Sequence, residues 1–416
     1  MITPYFAGDA VTLYTGDAVE VLRELPDNAA DCVVTSPPYW GLRDYGTGQW
    51  VGGNPVCTHS TGRGTSTAPP HHPRTPYPAS PAHRGDTPRT CRRCGAVRQD
   101  RQYGLEATPE DYVDALRGVF AELRRVLTAT GTVWLNLGDS YSATPPGRTD
   151  DPMRRSTAMG RRALGIMRDS VQRAGVDRTQ ALPRKNLIGM PWRVAFALQA
   201  DGWILRNAVV WHKPNAMPES VHDRLSNRYE LVFLLVQQQR YYFDLDAIRE
   251  PLARPEALGE GIIIGGSRKG RRAGIDATER RRGQSVYGEG KYTDHTAFAA
   301  HPPGEALRPT GRRHTAAHIK GKNPGDVWSM PTRPLRAAHF AAYPIDLPLR
   351  CIAAGCPPHG TVLDPFSGAA TTALAARRLE HHYVGIDLRG DFHDIGLDRL
   401  GLPRPGTPPP QDRRAA

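Results

Sequence analysis

The chain has 416 residues, with 54 Lys and Arg against 42 Asp and Glu, which gives a formal net charge of +12 and an isoelectric point near 9.6. A chain of this length can bury a full hydrophobic core, and its basic balance favours a polyanionic partner. No apolar run approaches the ~20 residues of a membrane-spanning helix, and Met1 to Tyr5 lack the layout of a signal peptide. Six cysteines in so long a chain do not indicate a disulfide framework. We therefore expect a cytoplasmic protein that does not bind a membrane.

The first predicted elements are a strand, a turn and a short helix, followed by a second strand. The first strand ends at Tyr14-Thr15-Gly16-Asp17, and apolar residues at helical spacing come next. The apolar run Cys32-Val33-Val34 then predicts a buried strand from Asp31 to Thr35. This αβ unit favours an α/β fold.

The loop Ser36-Pro37-Pro38-Tyr39 follows the second strand directly. In open α/β folds, ligands bind at the carboxyl ends of the strands. Because proline has no N–H and a fixed φ, the loop presents carbonyl oxygens, which suit the hydrogens of an amino group. Tyr39 is placed to stack on a planar ring. The loop therefore predicts a site for a planar ligand that carries an amine.

A possible zinc site lies in the next segment. From Gly52 to Arg98 the composition changes to Pro, Gly, His, Thr and Arg, which predicts an inserted loop. Cys-x-x-Cys-Gly has the knuckle spacing with which two thiolates bind one tetrahedral zinc, and an upstream Cys-x-His completes a Cys3His set. These residues are Cys57, His59, Cys91 and Cys94, with His71 and His72 as spare candidates. We expect a structural site, since four protein ligands leave no open position; the alternative is a set of free side chains in a disordered loop.

The core pattern resumes after this insertion. Thr108-Pro109-Glu110-Asp111 has the form of a capped helix start, and Gly131 is expected to end that helix before a strand from Thr132 to Leu137. A second polar insertion runs from 142 to 184. Beyond it we predict a helix from Ile188 to Leu198 and strands from Leu205 to Trp211 and from Leu231 to Val236.

Much of the excess positive charge lies in the third unusual stretch, from Gly265 to Lys322. It holds thirteen basic and five acidic residues, a balance of +8. Lysine and arginine side chains in such a stretch can neutralise phosphates, while only a minority would read base edges. The alternative is a disordered basic loop, and both can hold if the stretch becomes ordered on a nucleic acid.

The C-terminal part has the pattern of a nucleotide site. Thr361 to Asp364 is a predicted strand, and the small residues of Phe366 to Ala370 lead into a helix that begins near Thr371. Small residues let the backbone approach a ligand, and the helix N-terminus adds unpaired N–H groups. Asp387 ends the next strand, His382 to Ile386, where a carboxylate can accept both ribose hydroxyls. This geometry suits S-adenosylmethionine.

The chain contains Ser36-Pro37-Pro38-Tyr39 and, far downstream, Asp364-Pro365-Phe366-Ser367-Gly368. In this order the two segments resemble motifs of the amino-methylating DNA methyltransferases, which modify N4 of cytosine or N6 of adenine. The subgroup that the chain resembles is the permuted one, with the catalytic motif before the cofactor motif. Gly131 to Tyr141, Tyr229 to Leu235 and Tyr343 to Leu347 match further family segments. The resemblance implies a circularly permuted, Rossmann-like methyltransferase sheet with three polar insertions.

The resemblance also divides the chain. One discontinuous methyltransferase core lies within 1–400, and the remaining segments are a possible zinc knuckle, a polar insertion, a basic target-recognition region and a disordered tail. The core comprises about 1–50, 100–141, 185–250 and 326–400. The possible zinc knuckle is 51–99 and the polar insertion is 142–184. The basic target-recognition region is 251–325 and the disordered tail is 401–416.

Site residues follow from the same resemblance. Asp17 would reach the adenine amine of S-adenosylmethionine, Phe366 would contact the cofactor, and Tyr343 to Leu347 would flank its amino-acid end. The expected catalytic residues are Ser36, Pro37, Pro38 and Tyr39, and the expected cofactor residues are Asp17, Asp364, Phe366, Gly368, Thr371 and Asp387.

The chemistry expected of the loop is direct methyl transfer. An exocyclic amine is a poor nucleophile, because its lone pair is delocalised into the ring, so the Pro37 carbonyl and the Ser36 hydroxyl would hold it in line with the methyl group. Ring-carbon methylation of cytosine needs a Pro-Cys pair, which the chain lacks. Within the family, Ser before Pro-Pro-Tyr favours N4 of cytosine and Asp favours N6 of adenine. Ser36 therefore favours N4 of cytosine.

One residue departs from the family pattern. The family usually has glycine where this chain has Ala370. A positive φ there would cost alanine on the order of 1 kcal/mol, whereas a position that needs only a small side chain would accept it. We expect that this position accepts alanine.

Several alternatives stay open. They are an N6-adenine methyltransferase and a DNA-binding relic that lost its cofactor; a protein or RNA methyltransferase is disfavoured, because its Asn-Pro-Pro-Tyr motif would follow the cofactor motif. The expected partners are double-stranded DNA and a cognate restriction endonuclease. Binding to DNA would associate the protein with the nucleoid.

Overall fold

The computed structural model describes residues 2–59, 89–143, 182–252, 262–263, 313–314, 318–333 and 343–406. Contacts divide the chain into two compact units, one formed by 1–248 with 325–416 and the other by 249–324. The second unit has nearly the same limits as the predicted target-recognition region, whose function stays a prediction.

The first unit is built on a nine-stranded, mostly parallel sheet with the order β1-β2-β14-β13-β3-β7-β9-β8-β12 among the described strands. Strands β2, β14, β13, β3 and β7 are parallel neighbours, while β9 runs antiparallel between β7 and β8. The described strands are β1 Phe6–Ala7, β2 Val11–Thr15, β3 Ala30–Thr35, β4 Gln49–Val51, β5 Arg89–Thr90, β6 Val97–Gln99, β7 Leu127–Leu137, β8 Ile204–His212, β9 Tyr229–Val236, β10 Ile262–Ile263, β11 Arg313–His314, β12 Val327–Ser329, β13 Thr361–Asp364 and β14 His382–Asp387.

Helices cover both faces of this sheet, which gives a mixed α/β fold of three layers. One apolar core holds residues of α1, α2 and α3, and a second core on the other face holds residues of α4, α5 and α6. The helices are α1 Ala18–Glu24, α2 Pro109–Val126, α3 Met190–Ala200, α4 Asp346–Gly355, α5 Thr371–Arg378 and α6 Gly390–Leu400. None of the described helices is long and apolar enough to cross a membrane.

The two ends of the chain meet at the centre of the sheet. Strands β13 and β14 come from the C-terminal part, yet they lie between β2 and β3 of the N-terminal part. Val362 pairs with Cys32 and Leu363 with Val33, so β13 and β3 end side by side. This pairing brings the loop after β3 next to the turn after β13.

The predicted elements mostly match the structure in kind and position. The capped start of α2 is confirmed, with Thr108 and Asp111 forming a reciprocal capping box. The prediction that Gly131 ends this helix was wrong. The helix ends at Val126, because Leu127 already pairs with Ala30 as the first residue of β7. The helix predicted from Ile188 begins two residues later, at Met190, after Gly189 in the left-handed conformation.

The first insertion contains a small antiparallel sheet, where the composition predicted only a loop. Strand β6 lies between β4 and β5, with Trp50 opposite Arg98 and Thr90 opposite Val97. Residues 60–88 of this insertion lie outside the described residues, as do 144–181 of the second insertion.

In the second unit, the described residues form two short antiparallel contacts. Ile262 and Ile263 of β10 pair with His314 and Arg313 of β11, and Glu250 bridges Lys322. Most of the +8 stretch, including 264–312, lies outside the described residues, as does 407–416 of the predicted tail.

Candidate active site

A cavity of about 800 Å³ opens along the carboxyl edge of the main sheet. Its lining comes from the segments after β2, β3, β13 and β14 and from the ends of β7, β8 and β9 at that edge. Cavities of about 300 to 1,000 Å³ are typical of sites for cofactors and other small molecules. The loop Ser36 to Tyr39 and the turn Phe366 to Ala369 both line it, so the two sequence motifs share one cavity.

The hydroxyl groups of the first loop belong to a polar network. Ser36 Oγ lies 3.3 Å from both Tyr39 Oη and Asn136 Oδ1, and Tyr39 Oη donates to Glu230 Oε2 at 2.7 Å. Burial, together with the nearby Glu230 carboxylate, raises the pKa of Tyr39 well above its usual value. The phenol therefore stays protonated and its ring is held in one orientation.

The two prolines of the loop differ in what their carbonyls contact. Tyr112 Oη donates to the Pro38 carbonyl at 2.9 Å. No hydrogen-bond donor of the described residues reaches the Pro37 carbonyl. Pro37 lines the cavity.

The carboxylate of Asp387 is fixed by backbone donors at the cavity wall. Gly368 N–H donates to Oδ2 and Arg389 N–H donates to Oδ1, each at 2.9 Å. Burial raises the pKa of this carboxyl to about 6. Each oxygen keeps a lone pair that can accept from a further donor, as ribose hydroxyls would require. Gly368 has a φ of +49°, a conformation that glycine adopts without strain.

Asp364 links the cofactor turn to the catalytic strand. Its Oδ1 accepts from Thr35 Oγ1 and its Oδ2 from Thr372 Oγ1, each at 2.7 Å, and Phe366 N–H adds a third bond. The residue is 2% exposed, and burial raises the pKa of its carboxyl to about 6. Asp364 lines the cavity, but its hydrogen bonds hold β3, β13 and α5 in register, so its geometry is that of a positioning group.

The other expected cofactor residues lie around the same turn. Phe366 lines the cavity and packs edge-on against Tyr103, with ring centroids 5.2 Å apart. Thr371, at the first position of α5, also lines it. Tyr343 lines the cavity and its hydroxyl hydrogen-bonds Thr372 Oγ1, while Leu347 is buried in α4.

The Asp17 side chain serves as the N-cap of α1. Its Oδ1 caps α1 by accepting from the N–H groups of Val19 and Glu20. Gly16 and Ala18 line the cavity, whereas Asp17 does not. The contact with an adenine amine stays a prediction, and the geometry favours the backbone beside Asp17 over its side chain.

The expectation for Ala370 needs correction. The residue lies at the N-cap of α5 with a φ of +56°, so the position does require the left-handed conformation. The left-handed conformation costs alanine about 1 kcal/mol of conformational free energy. The methyl group is fully buried and packs beside Gly396 of α6, which offsets part of this cost.

Comparison with known proteins gives the family. The family model described as DNA methylase (N6_N4_Mtase) matches residues 30–398. The type II methyltransferase M.Cfr9I of Citrobacter freundii is 32% identical over 393 residues, which cover 94% of this chain and 88% of that protein. The type II methyltransferase M.SmaI of Serratia marcescens is 30% identical, over 93% of this chain and 90% of that protein.

The chain belongs to the N6/N4 DNA methylase family. It is thus a DNA amino-methyltransferase whose methyl donor is S-adenosylmethionine. Among solved structures, a PvuII DNA methyltransferase described as cytosine-N4-specific aligns with a TM-score of 0.49 and 12% identity, over 98% of this chain and 91% of that one.

Three polar residues of this DNA methylase site were missed in the sequence. Asn136 is buried in β7, Glu230 lies near the start of β9, and Lys213 follows β8. Lys213 Nζ forms an ion pair with Glu230 Oε1, while the other carboxylate oxygen accepts from Tyr39. The signal was present, because Asn136 interrupts the apolar run from Val133 to Leu137 and Glu230 directly precedes the apolar run from Leu231 to Val236.

The DNA methylase also brings together the four expected metal ligands. The ligand atoms of Cys57, His59, Cys91 and Cys94 all lie within 4.8 Å of one another. Cys57 Sγ and Cys91 Sγ are 3.9 Å apart, and Cys94 Sγ is 3.3 Å from His59 Nδ1. The spare candidates His71 and His72 lie outside the described residues.

Proposed function

We propose that the chain transfers a methyl group from S-adenosylmethionine to N4 of a cytosine that has been flipped out of double-stranded DNA. The observation that carries this proposal is the shared cavity, which is lined by the Ser36 to Tyr39 loop on one side and by the Phe366 to Ala369 turn on the other. A base inside a duplex cannot reach a cavity at a sheet edge, so it must leave the stack at a cost of a few kcal/mol.

The cofactor half fits the proposed donor. Asp387 offers two fixed carboxylate oxygens for the ribose hydroxyls, Phe366 lines the cavity with its ring, and Tyr343, which also lines it, would flank the amino-acid end. When bound, S-adenosylmethionine supplies an electrophilic methyl group on a sulfonium sulfur. Asp364 contributes by holding Thr35, next to Ser36, against the cofactor turn.

The base half is suited to an exocyclic amine. The Pro37 carbonyl, which no donor of the described residues reaches, and the Ser36 hydroxyl can take the two amine hydrogens, which would turn the nitrogen lone pair toward the cofactor half. Hydrogen bonds to Glu230 and Asn136 fix the Tyr39 ring for stacking on the base. Methyl transfer would form an N–CH3 bond as the S–CH3 bond breaks, and the extra amine proton would leave to solvent.

Ser36 is the reason to propose cytosine rather than adenine. In the family pattern, a serine before Pro-Pro-Tyr favours N4 of cytosine. The basic stretch from 265 to 322 is proposed to bind the DNA phosphates. Because the relatives are named type II methyltransferases, we also propose a cognate restriction endonuclease as the partner in the cell.

The test is expression of the chain in a host that lacks DNA methylation. Genomic DNA is digested to nucleosides for mass spectrometry and sequenced by a method sensitive to modified bases. N4-methylcytosine at one recurring sequence is the expected result, and N6-methyladenine in its place would refute the choice of base. Calorimetry with S-adenosylmethionine tests the alternative of a DNA-binding relic that lost its cofactor. A folded chain that binds no S-adenosylmethionine and methylates no DNA would refute the proposal altogether.

A further inference from the structure

The four ligand atoms in the first insertion have the spacing of a metal site. In a tetrahedral zinc site with Zn–S of about 2.3 Å and Zn–N of about 2.0 to 2.1 Å, two sulfurs lie about 3.8 Å apart and a sulfur and a nitrogen about 3.6 Å apart. The Cys57 to Cys91 and Cys94 to His59 distances, 3.9 and 3.3 Å, are close to these values. A disulfide would need sulfurs about 2.05 Å apart, so Cys57 and Cys91 do not form one.

The backbone around the cluster forms a knuckle. Cys91 N–H donates to the Ala96 carbonyl and Gly95 N–H donates to the Cys91 carbonyl, which turns the chain between Cys91 and Cys94. Gly53, with a φ of +72°, passes so close that an added Cβ would lie 2.8 Å from Cys94 Sγ. This close approach brings the segment that carries Cys57 and His59 against the knuckle.

The small sheet of β4, β5 and β6 lacks an apolar core of its own. Among the described residues of 49–59 and 90–100, only Cys91 and Ala96 are buried. Three short strands without a hydrophobic face are not stable by themselves. Small domains of this kind are usually held by disulfides or metal, and a metal site can supply the missing folding free energy.

This sheet is continuous with one wall of the cavity. Leu42 to Thr47 leads into β4, and Gln102 and Tyr103 follow β6; residues of both segments line the cavity. The segments are joined by hydrogen bonds: Gln102 Oε1 accepts from Tyr45 N–H at 2.6 Å, and Gln102 Nε2 donates to the Arg43 carbonyl at 2.8 Å. Thr47 Oγ1 donates to Asp100 Oδ1 at 2.5 Å, directly after β6.

We propose that Cys57, His59, Cys91 and Cys94 bind one structural zinc ion, and that this ion orders the cavity wall formed by 42–47 and 102–103. The four side chains fill the tetrahedron, so the ion takes no part in methyl transfer. That the cavity beside this wall binds S-adenosylmethionine rests on the proposed function, whereas the zinc site does not.

Metal content tests the site. The full chain is purified from zinc-supplemented medium, and its metals are measured by mass spectrometry. About one zinc per chain is expected, with loss in Cys91→Ser and Cys94→Ser. Cys351→Ala is the control, because that thiol is buried in α4 within the second core and is not one of the four ligands, so this variant should retain the zinc. A wild-type chain that neither contains zinc nor binds added zinc would overturn the proposal.

Two measurements on zinc-loaded, chelated and reloaded protein test the wall. Hydrogen exchange of 42–47 should become faster on chelation and recover on reloading. The Kd for S-adenosylmethionine should rise roughly tenfold, because binding must then order the wall. Unchanged exchange would overturn the role of zinc in the wall. If exchange responds but the zinc-loaded chain binds no S-adenosylmethionine, the proposed function fails and the zinc proposal stands.

Discussion

Replacing Gly396 with alanine would place a methyl group 2.8 Å from the Cβ of Ala370, closer than two carbon atoms normally approach. Overpacking of this kind typically costs about 1 to 3 kcal/mol. Alanine in a helix interior gains about 0.5 to 1 kcal/mol over glycine, so we expect Gly396→Ala to lower the free energy of unfolding by about 0 to 2.5 kcal/mol.

Ala370→Gly should remove this conflict at little cost. The substitution relieves about 1 kcal/mol of left-handed strain and loses about 0.8 kcal/mol of buried methyl, so the two effects nearly cancel. The other atoms near the new methyl of Gly396→Ala lie 3.9 Å away, an ordinary contact. In the Ala370→Gly background, Gly396→Ala should therefore stabilise the chain, which gives a coupling of about 1 to 3 kcal/mol.

The assay is urea unfolding of the wild type, both single variants and the double variant, followed by circular dichroism. Gly118→Ala is the control for helix propensity, since Gly118 is an exposed residue within α2 and an added Cβ would meet nothing within 4 Å. It should stabilise both backgrounds equally, by about 0.5 to 1 kcal/mol. A coupling between Gly396→Ala and Ala370→Gly below about 0.5 kcal/mol would refute the steric reasoning.

Three further predictions concern the site. Tyr39→Ala should slow methyl transfer by about 5- to 150-fold through lost stacking, and Tyr39→Phe less, with the affinity for S-adenosylmethionine unchanged in both; equal single-turnover rates for the two variants would contradict the stacking role. Because the Asp387 carboxyl has a pKa of about 6, calorimetric affinity for S-adenosylmethionine should fall as the pH drops through 6, and an unchanged affinity from pH 8 to pH 5 would contradict the ribose contact. Folded Asp364 keeps its proton up to about pH 6, whereas the unfolded carboxyl releases it near 3.9. The stability of the wild type relative to Asp364→Asn should therefore fall as the pH rises from about 4 to 6, and a flat difference in urea titrations would argue against the buried charge.

Local patterns predicted the elements whose signals are local. The capping box at Thr108 and the apolar run before Ser36 were sufficient to predict α2 and β3, because capping and strand burial depend on nearby residues. The end of α2 was misplaced, since pairing of Leu127 with Ala30 replaces the helix before Gly131 is reached. The small sheet of the first insertion was missed, because its strands carry no apolar periodicity.

The sequence by itself determined the family, the two motifs, their order, and the residue types that could bind an amine, a ribose and a zinc ion. Only the tertiary structure decided how several of these groups are held. Asp17 caps a helix, Ala370 takes the left-handed conformation, and Tyr39 is held by Glu230 from a distant strand. The Tyr39 contact depends on β3, β7 and β9 lying side by side although they are far apart in the chain, which no local pattern specifies. The Asp17 cap is local, because its partners are the N–H groups of the next helical turn.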